Sequence, residues 1–215
     1  MFQTRVTIPT LVRIKAGTLT RVGVYLSRFE HRQVAVFQSL NLAEDLVGSF
    51  DAGLRDEGIE VAGRYSIVEA SFEQAVAHFR TLPKNISAVV GLGGGRALDV
   101  AKYVAFLAKR PYFSVPTSLS NDGFSSPLSS LTFEGRRRSL SASMPFGVVV
   151  DTQVCQHAPR SLTLSGIGDL TAKVTAIHDW RLAFHHANEP IDDFSVLLTS
   201  GAVQSFLSRP KLDEE

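Results

Sequence analysis

The chain has 215 residues, enough for one domain with a substantial core and the start of a second. Apolar residues make up 44% of the sequence, which is too many for a disordered chain. Its 22 basic and 21 acidic residues give a net charge of +1, which argues against a general nucleic-acid-binding or membrane-binding surface.

Up to about residue 115, apolar runs typical of buried strands alternate with segments whose apolar residues recur at helical spacing. In chain order these are an extended stretch at 6–14, a helix at 18–28, a strand at 33–37, a helix at 42–54, strand-like pieces at 59–61 and 66–68, a helix at 71–82, a strand at 86–90, a helix at 96–109 and a strand at 112–115. Such alternation with short loops predicts a Rossmann-like α/β fold, a parallel sheet with helices on both faces.

The next segment has a different pattern. Residues 131–142 are typical of a hairpin insertion, and residues 147–152 of one more buried strand. The basic run 136–138 follows Glu134 and Gly135 and is predicted to form the hairpin tip. It is either a solvated turn or a contact for a phosphate-bearing ligand or partner.

Beyond Pro159 the sequence becomes helical, over residues 163–187 and then 191–208. We therefore predict a nucleotide-binding α/β domain over residues 1–158. The start of an all-helical domain, concerned with metal and substrate, is predicted over residues 159–215.

A glycine-rich turn lies between the strand at 86–90 and the helix at 96–109, with the sequence GLGGGRALD at 91–99. Glycine has no Cβ, so the backbone can approach a phosphate closely. A helix N-terminus offers free N–H groups and a favourable dipole to an anion. The turn is therefore suited to a dinucleotide pyrophosphate, although its spacing is neither G-x-G-x-x-G nor that of a P-loop. A turn that serves tight packing only is the alternative.

Two further polar blocks follow. PTSLSNDGFSSP occupies residues 116–127 after a short strand, and GIGDLTAK occupies residues 166–173 in the helical part. Ligands of parallel sheets bind beyond the carboxyl ends of the strands, where the glycine turn and the first polar block are both expected.

With these three blocks in this order, the chain resembles the sn-glycerol-1-phosphate dehydrogenase family. That family belongs to the iron-containing alcohol dehydrogenase and dehydroquinate synthase-like superfamily, and its motifs look like GGG-x-x-x-D-x-x-K, P-T-x-x-S-x-D-G-x-x-S-P and G-x-G-D-L-x-[AS]-K. The resemblance covers about residue 33 to the end and implies the front part of a family member, since the family continues into a long helical domain. It implies metal-assisted, NAD(P)-dependent interconversion of dihydroxyacetone phosphate and sn-glycerol 1-phosphate.

The resemblance also implies which residues bind NAD or NADP. Asp99 either contacts the dinucleotide or complements the helix dipole, and Lys102 either pairs with Asp99 or is solvated. Gln38 lies where the family often contacts the adenosine portion. The implied cofactor residues are Gln38, Gly94, Gly95, Arg96, Ala97, Leu98, Asp99, Thr117, Ser118, Leu119, Ser120 and Ser126.

On the substrate side, the resemblance implies that Asp122 binds a small phosphorylated polyol. It implies that Asp169 touches substrate and ligates a catalytic divalent metal, usually zinc, with two histidines from the later helical domain. A catalytic zinc needs about three protein ligands. His178, His185 and His186 follow Asp169 on one helix, and none matches the family's ligand spacing.

Other interpretations stay open. The chain could be a truncated, catalytically impaired nucleotide-binding protein, a related polyol dehydrogenase, or a dehydroquinate synthase-like lyase. We expect a homo-oligomer without nucleic-acid or membrane partners. The single cysteine, Cys155, excludes an intramolecular disulfide and fits a reducing cytoplasm, and the first six residues do not resemble a signal peptide.

Overall fold

The computed structural model describes residues 7–209; the start of the predicted extended stretch at Val6 and the tail after Arg209 lie outside this range. The strands are β1 (Leu11–Ile14), β2 (Gln33–Ser39), β3 (Glu60–Ile67), β4 (Ala88–Gly93), β5 (Tyr112–Pro116), β6 (Leu128–Phe133), β7 (Arg136–Ser141) and β8 (Gly147–Val150). The helices are α1 (Val22–Arg28), α2 (Glu44–Arg55), α3 (Phe72–Thr81), α4 (Gly95–Ala108), α5 (Thr152–Gln156), α6 (Arg160–Ala187) and α7 (Asp193–Leu207).

Six strands form one parallel sheet in the order β1-β8-β5-β4-β2-β3, which confirms the predicted α/β fold. Every residue of β4, β5 and β8 is buried, as expected for strands covered on both faces. After β2 the chain adds β3 on one side, then crosses to add β4, β5 and β8 on the other. The topological switch point, where such sheets bind ligands, therefore lies between β2 and β4.

Two hydrophobic clusters cover the sheet. One joins α1 and α2 to one face through side chains such as Leu26, Phe50 and Leu54. The other joins α3 and α4 to the opposite face, with Val100 and Val104 among its buried members. Each large side chain that is fully buried, such as Phe50, stabilises the fold by about 2 kcal/mol. This packing positions the N-terminus of α4 at the carboxyl edge of the sheet.

Several predicted boundaries were wrong. The two strand-like pieces at 59–61 and 66–68 are parts of β3, which pairs along its length with β2 through one register shift. The strand predicted to reach residue 152 ends at Val150, because the Asp151 side chain accepts a hydrogen bond from Gln153 N–H and caps α5. The first of the two long C-terminal helices, predicted over residues 163–187, begins three residues earlier, directly after Pro159.

The predicted hairpin is confirmed as the antiparallel pair β6–β7. Its tip is formed by Glu134 and Gly135, both with positive φ, so the three arginines lie on β7 and not at the tip. Positive φ at both central residues is the geometry that two-residue hairpin turns favour. The buried Leu131 anchors the hairpin over α3 and α4.

Helices α6 and α7 pack against each other and bury little apolar surface. In the described part of the chain, α6 has no buried residue, whereas Val196 and Val203 of α7 are buried. No helix within residues 7–209 is long and apolar enough to cross a membrane. Large apolar side chains stay exposed on both helices: Leu164, Val174, Leu182, Phe184, Phe194, Leu197, Leu198 and Leu207.

Candidate active site

A cavity of about 430 Å³ opens at the switch point, beyond the carboxyl ends of β2 and β4. It lies in front of the glycine-rich turn, and α6 reaches its edge through Leu162. Several lining residues carry hydroxyl or amide groups that can bind a sugar or a phosphate. The lining residues are Ser39, Leu40, Asn41, Ile67, Val68, Gly94, Gly95, Arg96, Ser118, Ser120 and Leu162.

Ser39, the last residue of β2, fixes the glycine turn. Its Oγ accepts a hydrogen bond of 3.0 Å from the Gly94 N–H. Gly93 has φ = +134°, and a Cβ there would overlap the Ser39 hydroxyl, so this position requires glycine. Ser39 was not among the predicted site residues, although its position at the end of β2, the neighbour of β4, was a signal that could have found it.

The next two glycines face open space. A Cβ at Gly95 would meet no described atom within 4 Å, and one at Gly94 would meet only the Ser118 Oγ, at 4.0 Å. The N-terminus of α4 has no side-chain cap and no acidic residue in its first turn. Free N–H groups and the positive end of the helix dipole therefore point into an open cavity, an arrangement that fits a pyrophosphate.

The structure separates the predicted cofactor residues into groups. Gly94, Gly95, Arg96, Ser118 and Ser120 line the cavity, and the Arg96 guanidinium donates to the Val68 carbonyl, 3.2 Å away. Three others are placed differently. The side chains of Ala97 and Leu98 point into the core, and Thr117 N–H donates to the Gly93 carbonyl, which joins the two loops.

The remaining predicted cofactor contacts lie outside the lining residues of this cavity. Gln38 is held by a hydrogen bond from Arg64, and Leu119, which is 38% exposed, borders a second cavity described below. Ser126 exchanges hydrogen bonds with the backbone of Leu128. Their roles in cofactor binding stay predictions.

Asp99 lies beyond the first turn of α4, which contains no acidic residue. The interpretation that its carboxylate complements the helix dipole was therefore wrong. Its carboxylate lies 3.6 Å from the Lys102 ammonium and 3.9 Å from the Arg137 guanidinium. Burial raises the pKa of Asp99, and the charge of Lys102 opposes this shift. Asp99 borders a small recess with Ser118 and Ser120, so its carboxylate lies close to the candidate cofactor loop.

The two predicted substrate residues meet through a lysine. The Lys173 Nζ lies 2.9 Å from a carboxylate oxygen of Asp122 and 3.6 Å from one of Asp169. Asp169 also accepts a hydrogen bond of 3.1 Å from the Asp122 N–H. The hydrogen bond to Asp122 is the main reason that the pKa of Lys173 is raised. We call these three residues the charged trio.

The charged trio borders a second cavity, of about 360 Å³, between α6 and the loop that follows β5. Lys173 lies in the third motif, GIGDLTAK, but was not among the predicted site residues. Its i,i+4 spacing from Asp169 on a helix was the signal that could have found it. The lining residues are Leu119, Asn121, Asp122, Phe124, Thr163, Gly166, Ile167, Asp169, Leu170 and Lys173.

The described residues do not fit a catalytic metal site by themselves. Within residues 7–209, no group of three or more His, Cys, Asp or Glu side chains could hold a metal ion. His178, His185 and His186 are exposed on α6, and Asp169 is already paired with Lys173. A catalytic zinc needs about three protein ligands, so the charged trio alone does not provide one.

Two larger recesses, of about 710 and 510 Å³, lie between α6 and α7. Their lining is mainly apolar, although His178, Asp179 and Lys173 contribute to it. They lie away from the glycine turn. We therefore place the candidate site at the sheet edge, where the free helix N-terminus and the charged trio lie.

The sequence model of the iron-containing alcohol dehydrogenase family matches residues 13–159. The chain is 36% identical over 182 residues to a glycerol-1-phosphate dehydrogenase (NAD(P)+) from Aeropyrum pernix, with 83% of this chain and 51% of the relative covered. It is 33% identical over 206 residues to a protein of the same name from Thermofilum pendens, with 94% and 58% covered. The chain thus spans between half and three fifths of the length of these relatives.

Solved structures share the fold. The NADH-dependent butanol dehydrogenase A of Thermotoga maritima matches with a TM-score of 0.71 at 19% identity, over 82% of this chain and 50% of that one. The glycerol dehydrogenase of Schizosaccharomyces pombe matches with a TM-score of 0.64 at 24% identity, over 78% and 43%. At these identities the likeness shows the architecture alone.

Proposed function

The chain belongs to the iron-containing alcohol dehydrogenase family, and on that premise we propose that it forms the nucleotide-binding part of an NAD(P)-dependent oxidoreductase. The proposed reaction interconverts dihydroxyacetone phosphate and sn-glycerol 1-phosphate, the chemistry that the relatives' names indicate. One observation carries the proposal: Gly94 and Gly95 open into the switch-point cavity at the uncapped N-terminus of α4.

The cofactor's pyrophosphate is proposed to lie against Gly94 and Gly95, where the backbone N–H groups in the first turn of α4 can donate to it. Ser118 and Ser120, across the cavity, offer hydroxyls to ribose or to the nicotinamide carboxamide. None of the described residues that line this cavity is acidic. An acidic residue at the end of the second strand selects NAD by binding the ribose 2′-hydroxyl. A cavity whose described lining has no acidic residue is compatible with both NAD and NADP.

The substrate is proposed to bind in the 360 Å³ cavity beside the charged trio. When bound, a reduced nicotinamide supplies the hydride that the substrate's carbonyl carbon accepts, while the carbonyl oxygen takes up a proton. Asp122 would accept a hydrogen bond from a substrate hydroxyl. Lys173 offsets one of the two carboxylates, which reduces the repulsion of an anionic phosphate ester.

Asp169 would be a ligand of a divalent metal, with zinc as the first candidate. The described residues bring no complete ligand set, so no step of the reaction is derived through the metal. The same observation supports a second candidate function, a nucleotide-binding protein with little or no turnover.

The division at residues 158 and 159 is part of the proposal, with α6 and α7 as the start of a helical domain. The exposed apolar side chains of these helices support a homo-oligomer. A reducing compartment such as the cytoplasm fits the single cysteine, Cys155.

Two measurements test the proposed function together. Calorimetric titration with NADH and NADPH reports cofactor binding, and nicotinamide absorbance in the presence of dihydroxyacetone phosphate reports turnover. Binding with turnover supports the dehydrogenase, and binding without turnover favours the second candidate. Failure to bind either cofactor would rule out both.

A further inference from the structure

Lys102 is a charged side chain with no exposed surface, and none of the roles proposed above uses it. It lies on α4, about two turns after Gly95. Its side chain is 0% exposed. Lysine is almost never fully buried unless it is paired, so its partners indicate what the burial serves.

The partners of Lys102 lie on the loop that carries Asp122. Its Nζ donates to the Gly123 carbonyl at 2.6 Å and to the Leu128 carbonyl at 2.7 Å. The Asp99 carboxylate, at 3.6 Å, partly compensates the buried charge. Gly123 directly follows Asp122, and Leu128 begins β6, so one ammonium group holds both ends of the 123–128 segment.

Burying the Lys102 ammonium costs more free energy than a purely structural contact at this position would require. An apolar side chain of similar volume often stabilises a core as well as a buried ion pair does, or better. The acceptors here are backbone carbonyls, so the contact depends on the path of the loop. From the other side, the Asp122 N–H donates to Asp169 on α6, and Asn121 caps Gly123. The loop is therefore held between two helices.

We infer that Lys102 is a positioning residue, which fixes the backbone of the 122–128 loop so that Asp122 faces the proposed substrate cavity. The inference rests on the proposed function, because it concerns the same site. Lys102 lies on α4, whose N-terminus faces the proposed cofactor cavity. Its contacts with the loop therefore also set the distance between that cavity and Asp122.

Lys102→Met tests this inference, with hydrogen–deuterium exchange read peptide by peptide. Without the ammonium, the two carbonyls lose their donor, and amide exchange in residues 122–128 should rise by about tenfold or more. Exchange in β2 and β4 should stay within about twofold of the original chain, and the affinity for NADH within about threefold. Lys84→Met, at an exposed lysine, is the matched control and should change none of these values.

The ratio of loop exchange to sheet exchange separates positioning from general stabilisation. A uniform rise in every element, or an unchanged loop, would overturn the inference. If Lys102→Met does not fold, Lys102→Gln, which removes the charge and carries its amide N–H donors on a shorter side chain, is measured against the same criteria. Failure of the original chain to bind NADH would overturn the proposed function, while the loop exchange would still report on Lys102.

Discussion

Gly166 of α6 lies so close to Leu119 that a Cβ at position 166 would overlap the Leu119 carbonyl oxygen. Through this contact, α6 packs directly on the loop that carries the candidate cofactor and substrate residues. Asp169 and Lys173 then project from the same helix toward Asp122. Because Gly166 has no side chain, α6 can approach the loop closely enough for the charged trio to form.

The first prediction concerns this contact. Gly166→Ala should lower the free energy of unfolding by about 1–3 kcal/mol, because a rigid backbone carbonyl must move away from the new methyl group. Gly168→Ala is a control two residues away, where a Cβ meets no described atom within 4 Å. That change should stabilise the helix by up to about 1 kcal/mol. Urea unfolding measures both, and the same sign for the two variants would contradict the prediction.

The second prediction concerns cofactor binding. Gly94→Val places a side chain where the pyrophosphate must approach, so the affinity for NADH or NADPH should fall by at least about tenfold, or 1.4 kcal/mol. Gly48→Val, at an exposed glycine of α2 with open space around it, is the matched control. Calorimetric titration measures both. Equal affinities in the original chain and the Gly94 variant would remove the glycine turn from the site.

The third prediction concerns Asp122. Asp122→Asn removes the charge that pairs with Lys173 and leaves the glycine turn untouched. In a complete enzyme that contains this chain, turnover should fall by about tenfold or more, while the affinity for reduced cofactor changes by less than about threefold. Steady-state kinetics and calorimetry report the two quantities separately. A collapse of cofactor binding would instead identify Asp122 as a structural turn residue.

Most of the sheet was predictable, because buried parallel strands appear as short apolar runs and the helices between them keep their periodicity. The glycine turn and the loop after β5 were expected at the carboxyl edge, where the structure places them. Asp122 and Asp169 came from motif resemblance, and the structure brings them together.

What could not be predicted depends on contacts between distant parts of the chain. Ser39 and Gly94 are 55 residues apart, and no local pattern pairs them. Lys102 was expected to be paired or solvated, and the solvated alternative was wrong because three groups from the fold surround its ammonium. Because lysine side chains are usually exposed, the sequence did not indicate that Lys102 is buried in the core.

The fourth prediction concerns self-association. The apolar side chains exposed on α6 and α7 should bring copies of the chain together, since contiguous exposed apolar surface favours association. Leu197 and Leu198 are 69% and 52% exposed on α7. Replacing both by glutamate should shift the equilibrium toward monomer in sedimentation experiments. Phe79→Glu on α3 is the control and should leave association unchanged; a monomeric original chain would contradict the prediction.

The fifth prediction concerns metal. Asp169 is the one ligand position implied by the resemblance that lies among residues 7–209, and the structure pairs it with Lys173. Removing ligands from a zinc site sharply weakens binding, so after dialysis the chain should retain far less than one zinc per molecule and show little or no dehydrogenase activity. Plasma mass spectrometry, run beside a nicotinamide absorbance assay, measures both quantities. One tightly bound zinc per chain, lost in Asp169→Asn and accompanied by robust turnover, would show that further ligands reach Asp169 from His178, His185, His186, a second copy or residues outside 7–209.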